Sequence, residues 1–487
     1  MPNFIAFDLG AESGRAILAR LNKGKLTLEE KHRFANPTGT INGHLHWNIL
    51  AQWEELKKGL SSSASSAKNI DGIGVDTWGV DFGLLDRSGS LLGFPYHYRD
   101  RRTDGMMNAA FKKVSKARIF EVTGIQFMQL NTLFQLLAMQ KMQPDVLELA
   151  DKLLFMPDLF NYFFTGIAKN EFSIATTSQM YDPRTKKWAA PMLRKLGLPT
   201  HLLQKIIPSG SVLGKLTKDV ASECGTGQIR VIAPGCHDTA SAVAAVPAET
   251  DDYCYISSGT WSLMGIETAR PIITPQTLAM NYTNEGGVGG KIRFLKNIMG
   301  LWLVQECRRQ FQLLGKQFTY AELTALAAKS QPRRSFIDPD HGPFLTPGTM
   351  CEKIQSFCRS THQPIPSTPG QLIRTCLDSL ALTYRKILDG LEKTIGRRIS
   401  TIHIVGGGSQ NELLNQLTAD ACGRHVVAGP IEATAIGNAL VQAMAIGAID
   451  SLAQARRIVR NSFPVKRYEP RDNQSWAEVP AHPWQQP

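Results

Sequence analysis

The chain has 487 residues, of which 43% are hydrophobic and 20% are charged, and its formal net charge is +12. This length exceeds what one compact core usually holds, so we expect two domains, and the composition excludes an intrinsically disordered protein. The basic residues occur in scattered pairs such as Lys112 and Lys113 and form no long basic tract, which argues against a nucleic-acid partner.

The N-terminus and the cysteines bear on the cellular compartment. The first ten residues, MPNFIAFDLG, have no basic segment and reach an aspartate early, so they do not resemble a signal peptide. No apolar run reaches the length of a membrane span. The eight cysteines form no C-x-x-C pair and most lie in apolar surroundings, as reduced thiols do, although a disulfide between Cys351 and Cys358 stays open. We predict a cytoplasmic protein without a membrane partner.

The first predicted element is a buried strand over Phe4–Phe7, with Asp8 at its carboxyl end. The turn over Gly10–Gly14 then lets the segment RAILAR return antiparallel. Glycines allow backbone N–H groups to approach an anion, so this is either an ordinary hairpin loop or a phosphate-holding hairpin whose aspartate orders a metal. The turn has neither a Walker loop pattern nor the helix that a dinucleotide fingerprint requires.

A second strand, turn and hairpin are predicted over residues 75–92. In this segment Asp76 and Asp81 flank Trp78 and Gly79. A tryptophan ring beside carboxylates is typical of sugar-binding sites, because the ring stacks on C–H groups while the acids bind hydroxyls. A core tryptophan with turn carboxylates explains the same pattern equally well.

The segment PGCHDTASAVAAVP, residues 234–247, places one carboxylate before a run of small residues. Asp238 is predicted to cap a helix that Pro247 ends, although Ser241 stands where a capping box needs Glu or Gln. The helix N-terminus favours the charged carboxylate, so capping and acting as a general base are compatible roles.

The second half of the chain repeats the strand-and-turn theme. Residues 255–265 carry hydroxyls at Ser257, Ser258 and Thr260 that suit phosphate oxygens. The repetition suggests two related domains, at 1–246 and 247–465. A polar, Pro-rich tail over 466–487 is expected to be loosely ordered or wrapped on the surface.

An apolar strand followed by three glycines and a helix is predicted over residues 402–417. Ser409 and Glu412 have the spacing of a capping box. The glycines allow a phosphate or a flat ligand to lie against the backbone, which we favour over a flexible loop. The small residues of 432–447 predict a helix packed tightly between the domains, on the hinge side, and not a binding site.

Taken in order, these motifs resemble the FGGY carbohydrate kinases, the two-domain sugar-kinase branch of the actin-like ATPases. The stretches that carry the resemblance are DLGAESGR, GVDTWGVDF, YRDRRT, GIQFMQLNTLFQL, GCHDTASAV, SSGTWSLMG, NEGG with LKNIMGLWLVQE, and VGGGSQNELLNQL, and they run from residue 4 to about residue 440. The implied fold class is α/β, with two actin-like (ribonuclease H-like) domains and a catalytic cleft between them.

The resemblance implies an activity and its small-molecule partners. The γ-phosphoryl group of ATP, with Mg²⁺, would be transferred to the 1-hydroxyl of a ketose. GVDTWGVDF and LKNIMGLWL are similar to the members that act on L-rhamnulose in L-rhamnose catabolism. A kinase for L-fuculose or L-xylulose remains an alternative, as does an ATP-dependent sugar sensor or a filament-forming relative of actin. A monomer or small homo-oligomer is expected.

The resemblance also implies roles for individual residues. The ATP-binding positions are Ala11, Glu12, Ser13, Gly14, Arg15, Thr260, Gln305 and Gly407. The substrate-binding positions are Gly79, His237, Asp238, Thr239 and Asn297, with Asp238 as the catalytic base. Asp8 matches the acid that orders the metal through water. Glu12 brings a negative charge into a phosphate loop, and alternation around the turn would point its side chain outward.

Overall fold

The computed structural model describes residues 1–485 and divides them into two compact units. Unit 1 comprises Met1–Pro247, Glu267–Phe294 and Glu432–Ser462, and unit 2 comprises Ala248–Ile266, Leu295–Ile431 and the described residues from Phe463 onward. The units interleave along the chain. The predicted domains are continuous stretches of the chain, whereas each compact unit combines several stretches. The predicted domain boundaries at 246 and 465 therefore stay a prediction.

The elements of the first 247 residues supply most of unit 1. The strands are β1 (Asn3–Leu9), β2 (Ser13–Asn22), β3 (Lys25–Ala35), β4 (Thr38–Ile41), β5 (His44–Trp47), β6 (Gly72–Thr77), β7 (Phe82–Leu85), β8 (Lys152–Phe155), β9 (Asn170–Glu171), β10 (Tyr181–Asp182), β11 (Lys187–Trp188), β12 (Ile206–Ile207), β13 (Ser211–Lys215) and β14 (Arg230–Ala233). The helices are α1 (Ile49–Ala64), α2 (Met106–Lys113), α3 (Lys116–Thr123), α4 (Thr132–Met142), α5 (Pro144–Leu149), α6 (Met156–Thr165), α7 (Phe172–Thr176), α8 (Ala190–Leu196), α9 (Lys218–Glu223) and α10 (Asp238–Ala244).

The elements from residue 248 onward complete both units. The strands are β15 (Tyr253–Ser258), β16 (Trp261–Thr268), β17 (Thr283–Gly286), β18 (Ile292–Met299), β19 (Thr401–Val405), β20 (His425–Ala428) and β21 (Lys466–Tyr468). The helices are α11 (Pro275–Ala279), α12 (Trp302–Leu313), α13 (Tyr320–Ala328), α14 (Met350–Ser360), α15 (Pro369–Ile395), α16 (Glu412–Cys422), α17 (Ala433–Ala445), α18 (Leu452–Ser462) and α19 (Asn473–Ala477).

A six-stranded sheet forms the centre of unit 1, in the order β13-β14-β6-β1-β2-β3. Strand β1 is antiparallel to β2 and parallel to β6, and almost all of its residues are buried. A central strand covered on both faces needs such a continuous apolar run. The predicted first hairpin is therefore confirmed. The second predicted hairpin is present but short: Leu85 forms an antiparallel bridge with Leu91, the Leu92 N–H donates to the Leu84 carbonyl at 2.8 Å, and β7 also pairs with β8.

The small-residue helix α17 packs within unit 1, against α10, β1 and β6. A Cβ atom on Gly437 would lie 1.7 Å from the carbonyl oxygen of Ser241 on α10, so only glycine allows this approach. Gly72 and Gly74 of β6 likewise lie against the side chains of Gln442 and Asn438. The predicted tight packing of this helix is confirmed, and these neighbours all belong to unit 1, whereas the hinge-side position stays a prediction.

The second large sheet has seven strands, in the order β17-β18-β16-β15-β19-β20-β21. Strand β15 is antiparallel to β16 and parallel to β19, which confirms the predicted strand-and-turn over residues 255–265. The helix α15 begins with a capping box between Thr368 and Gln371 and packs on α13 and α16. Tight packing of this helix gives unit 2 much of its core.

The C-terminal segment is more ordered than the sequence predicts. Strand β21 pairs antiparallel with β20, and the Trp476 side chain is completely buried. Arg385 donates a hydrogen bond of 2.6 Å to the carbonyl of Val479. Of the two predicted alternatives for the tail, a loosely ordered segment is wrong for residues 466–479 and a segment wrapped on the surface is confirmed, because one tryptophan and a strand edge anchor it. The last two residues of the predicted tail, 486 and 487, lie outside the described residues.

All eight cysteines are buried free thiols, so Cys351 and Cys358 do not form a disulfide. Within residues 1–485 no helix combines the length and apolar character needed to cross a membrane.

Candidate active site

The hairpin between β1 and β2 holds the first group of predicted site residues. Asp8 pairs in register with Arg15, and the turn closes with a 2.9 Å hydrogen bond from the Gly10 N–H to the Ser13 carbonyl. A Cβ atom on Gly14 would lie 2.3 Å from the Phe34 ring, so this position requires glycine. Ala11 and Ser13 are half-buried in the same turn.

Glu12 also lies in this turn and is exposed. Its carbonyl accepts a hydrogen bond of 3.0 Å from the Asn36 N–H, which fastens the turn to the residue after β3. The exposed side chain agrees with the outward orientation that alternation predicts.

The Arg15 side chain bridges two carboxylates of unit 1. Its Nη2 donates to Asp8 Oδ2 at 2.5 Å, and its Nη1 donates to Glu432. Burial alone would lower the pKa of Arg15, but the pairing with Asp8 and Glu432 outweighs it and raises the pKa further. The guanidinium is therefore a permanent positive charge fixed at the hairpin between β1 and β2.

Three carboxylates of unit 1 interact electrostatically. Asp8 and Asp76 are in register on the parallel strands β1 and β6, so both stand near the carboxyl ends of their strands. Burial raises the pKa of Asp76 well above its usual range, Asp8 and Asp238 raise it further, and the Asn438 side chain opposes the shift. Asn438 donates to Asp76 Oδ2 at 2.6 Å, while Asp76 Oδ1 is buried without a partner among the described residues.

Asp238 is the first residue of α10 and not its N-cap, which is His237. The predicted cap is therefore wrong by one position, because the chain enters the helix one residue earlier. Asp238 Oδ1 accepts from its neighbour Thr239 twice, at 2.5 Å from the N–H and 3.1 Å from the hydroxyl. The side chain is 31% exposed, so a substrate can reach it.

Burial raises the pKa of Asp238 above the ordinary carboxyl value, and the charge of Asp8 adds to the shift. The charge of His237, when its imidazole is protonated, and the hydrogen bonds from Thr239 act in the opposite direction. The expectation that the helix N-terminus keeps this acid strongly ionised is therefore outweighed by desolvation. A raised pKa makes the carboxylate a better proton acceptor.

The His237 side chain is buried beside Asp238. Its Nε2 lies 3.4 Å from Asp238 Oδ1, and its Nδ1 lies 2.9 Å from Nη2 of Arg293. Glu285 Oε2 lies 3.2 Å from the same Nη2. These contacts connect β17 and β18 to the N-terminus of α10.

In the segment after β6, the side chains of Trp78 and Asp81 are buried and make contacts within the core. Trp78 is buried and its ring lies 4.0 Å from that of Trp47. Asp81 accepts hydrogen bonds from both indole N–H groups, at 2.7 Å from Trp47 and 3.0 Å from Trp78. Burial raises the pKa of Asp81 to about 6. Gly79 between them is half-buried and faces Thr177, where a Cβ atom would come within 3.3 Å.

In unit 2 the turn between β15 and β16 meets the start of α12. The Thr260 carbonyl accepts from the N–H groups of Gly300 and Trp302, each at 3.1 Å. Gln305 lies in the first turn of α12, and its Oε1 is buried without a partner among the described residues. Asn297, predicted to bind sugar, lies on β18 and is half-buried.

The three glycines after β19 lie against β15. A Cβ atom on Gly408 would come within 2.1 Å of the Ser258 Oγ, whereas one on Gly407 would meet no atom within 4 Å. The middle glycine therefore borders open space. The predicted capping box is wrong: Asn411 is the N-cap of α16, and the Ser409 hydroxyl donates to the Gly406 carbonyl instead.

The structure thus brings Asp8, Arg15, His237, Asp238 and Thr239 together in unit 1. It places Thr260, Asn297, Gln305 and Gly407 in unit 2. Sequence analysis missed four residues that support the first group: Glu285, Arg293, Glu432 and Asn438. Glu432 lies 417 positions from Arg15, and no local pattern connects residues so far apart.

The oxygen donors of unit 1 fit a hard divalent cation. No group of three or more His, Cys, Asp and Glu side chains within residues 1–485 is arranged to hold a metal ion by itself. In phosphate sites Mg²⁺ typically keeps several waters and uses one or two carboxylates together with substrate phosphates. Asp8 and the unpartnered Oδ1 of Asp76 are donors of the required kind.

Comparison with known proteins decides the family. Residues 3–245 match the N-terminal domain of the FGGY family of carbohydrate kinases, and residues 254–446 match its C-terminal domain. The chain belongs to the FGGY family of carbohydrate kinases. It is accordingly a sugar kinase, and the predicted family resemblance is confirmed.

FGGY relatives match nearly the whole chain. A rhamnulokinase of Bacteroides thetaiotaomicron is 45% identical over 99% of this chain and 98% of its own length. A rhamnulokinase of Oceanobacillus iheyensis is 43% identical over 95% of this chain and 97% of its own.

Solved structures of other sugar kinases share the FGGY fold. A xylulose kinase from Lactobacillus acidophilus aligns with a TM-score of 0.82 at 15% identity, covering 98% of this chain and 96% of the other. A gluconate kinase from the same organism gives a TM-score of 0.81 at 15% identity with the same coverage. The predicted two-part α/β fold of the actin-like class is confirmed.

Proposed function

We propose that this chain acts as a rhamnulokinase, transferring the γ-phosphoryl group of ATP to the 1-hydroxyl of L-rhamnulose in L-rhamnose catabolism. The observation that carries the proposal is the identity of 42–45% to rhamnulokinases from several bacteria over nearly the full length. The products are L-rhamnulose 1-phosphate and ADP.

Asp238 is the general base of the proposed reaction. Its Oδ1 already accepts two hydrogen bonds from Thr239, which leaves Oδ2 to take the proton of the 1-hydroxyl. As that O–H bond breaks, the sugar oxygen bonds to the γ-phosphorus, and the bond from the γ-phosphorus to the bridging oxygen of ADP breaks. Phosphoryl transfer depends mainly on positioning and charge neutralisation.

The remaining residues bind the two substrates in this proposal. The hairpin residues Ala11–Arg15, together with Thr260, Gln305 and Gly407, bind ATP. Gly79, His237, Thr239 and Asn297 bind the sugar. Support comes from the open space at Gly407 and from the fixed cation of Arg15.

A divalent cation, Mg²⁺ in this proposal, would be held near Asp8 through water and would neutralise phosphate charge. We further propose that the protein is cytoplasmic, since eight free thiols are typical of a reducing compartment. We also propose that it is a monomer or a small homo-oligomer.

The test is ADP release from Mg-ATP across a panel of ketoses that includes L-rhamnulose, L-fuculose and L-xylulose. We expect the highest kcat/KM with L-rhamnulose, and a phosphate ester at carbon 1 by NMR of the product. A higher kcat/KM with either other ketose would reassign the substrate. ADP release that needs no sugar, or ATP-driven polymerisation, would contradict the kinase proposal.

A further inference from the structure

The imidazole of His237 is held by a buried cluster on three elements of unit 1. Arg293, which is fully buried on β18, donates from Nη2 to His237 Nδ1 at 2.9 Å and from Nε to the Gly286 carbonyl at 2.8 Å. The backbone N–H of His237 donates to the Ser173 hydroxyl at 3.1 Å. Both the ring and the guanidinium are therefore fixed in place.

The chemistry of the guanidinium decides the tautomer of His237. Arginine offers only N–H donors and stays charged, so the ring nitrogen facing it must accept. A neutral imidazole that accepts at Nδ1 carries its proton on Nε2. That nitrogen lies 3.4 Å from Asp238 Oδ1, so the protonated nitrogen is the one beside the proposed base.

Three charged side chains face the ring of His237: Arg293, Glu285 and Asp238. Glu285 Oε2 lies 3.4 Å from Nδ1 and 3.2 Å from Arg293 Nη2, so its charge balances the guanidinium. Without Arg293, two carboxylates would face the two ring nitrogens. The proton would then move to Nδ1, or both nitrogens would be protonated.

We propose that Arg293 and Glu285 are positioning residues for phosphoryl transfer, which fix the neutral Nε2–H tautomer of His237. This tautomer places the protonated Nε2 3.4 Å from Oδ1 of Asp238, which already accepts twice from Thr239, and leaves Oδ2 as the oxygen that accepts the sugar proton. The role in catalysis rests on the proposed function, whereas the tautomer does not.

The first test needs no substrate. Long-range ¹H–¹⁵N NMR of the full chain with labelled histidine reports which ring nitrogen of His237 is protonated, and the His237→Asn variant assigns its signals. We expect a protonated Nε2 and an unprotonated Nδ1 at pH 7. An Nδ1–H tautomer or an imidazolium at that pH would overturn the proposal, even if the chain phosphorylates L-rhamnulose as expected.

The second test separates positioning from structure. Arg293→Met removes the donor at similar length and is expected to protonate Nδ1 and to lower kcat at least tenfold, with the KM for ATP unchanged. Arg293→Lys retains a donor and the charge, so it should restore the Nε2–H tautomer and recover most of the lost kcat. An Arg293→Met variant with unchanged tautomer and kcat would disprove the inference.

Glu285→Gln serves as the matched variant if Arg293→Met does not fold. The amide oxygen still accepts from Arg293, so the Nε2–H tautomer should persist at pH 7. Its loss would show that the guanidinium does not set the tautomer. Absence of L-rhamnulose phosphorylation by the unmodified chain would instead count against the proposed function, since the NMR readout is independent of turnover.

Discussion

At the scale of single residues, the Asp238 carboxyl is accessible to a substrate and yet only partly solvated. The carboxyl is one-third exposed, yet burial and Asp8 raise its pKa above the ordinary value. Both effects favour proton acceptance from a bound hydroxyl. The two hydrogen bonds from Thr239 then select which of the two oxygens is available.

Asp238→Asn should reduce kcat by roughly a hundred- to ten-thousand-fold, because an amide cannot accept the proton that a positioned base removes. Because Asp238 is proposed to contact the sugar and not ATP, the Kd for ATP should stay within about twofold, which corresponds to ~0.4 kcal/mol. Steady-state kinetics and calorimetry check the two quantities. Turnover close to that of the unmodified chain would remove Asp238 from the mechanism.

The ionisation of the same carboxyl predicts the pH dependence. Only the ionised form accepts a proton, so kcat/KM should fall as the pH drops through the pKa of Asp238. Because that pKa is raised, the acid limb should lie above the ordinary carboxyl range. A profile that is flat down to that range would contradict the raised pKa.

At the scale of elements, the turn from β19 to α16 contains glycines with different functions. Gly408 packs against Ser258, whereas Gly407 borders open space. Gly408→Ala should lower the free energy of unfolding by about 1–3 kcal/mol through overpacking. Gly407→Ala should leave it within ~0.5 kcal/mol but raise the KM for ATP several-fold. Urea unfolding measures the stability of both variants, and steady-state kinetics measure their KM for ATP. An unchanged KM in Gly407→Ala would contradict the assignment of Gly407 to the ATP site.

The contact of α17 with α10 gives a prediction for the core of unit 1. Gly437→Ala places a methyl group 1.7 Å from the Ser241 carbonyl, closer than any tolerated contact. We expect a loss of at least about 1–3 kcal/mol in urea unfolding. Gly227→Ala is the matched control, since its Cβ meets nothing within 4 Å and its stability should change by less than ~0.5 kcal/mol. Equal stability of the two variants would contradict the packing described.

At the scale of the whole molecule, the eight buried thiols predict a chemically protected protein. Burial raises the pKa of several of them, including Cys236 and Cys254, and the thiolate is the reactive form. A disulfide reagent at pH 8 should therefore modify the thiols of the native protein slowly. After unfolding in guanidinium, it should modify all eight thiols. Rapid modification of several thiols in the native state would contradict the burial.

The features that could be predicted from the amino-acid sequence are those that local interactions control. The apolar runs of β1, β15 and β19, the glycine turns and the helical spacing of α16 each depend on neighbours within about ten residues, and the motif order was sufficient to indicate the family. Asp8 and Asp238 could be selected because each stands at the end of such an element, whereas Arg15 was selected through the family resemblance.

Three-dimensional packing determines which side chains meet. Arg15 pairs with Glu432, Asn438 bonds to Asp76, and Arg293 orients His237, over separations of 417, 362 and 56 residues. It also assigned α17 to the core of unit 1 and anchored the C-terminal segment through Trp476. Such contacts depend on how sheets and helices stack, and the energy of a buried pair depends on desolvation, which no local pattern specifies.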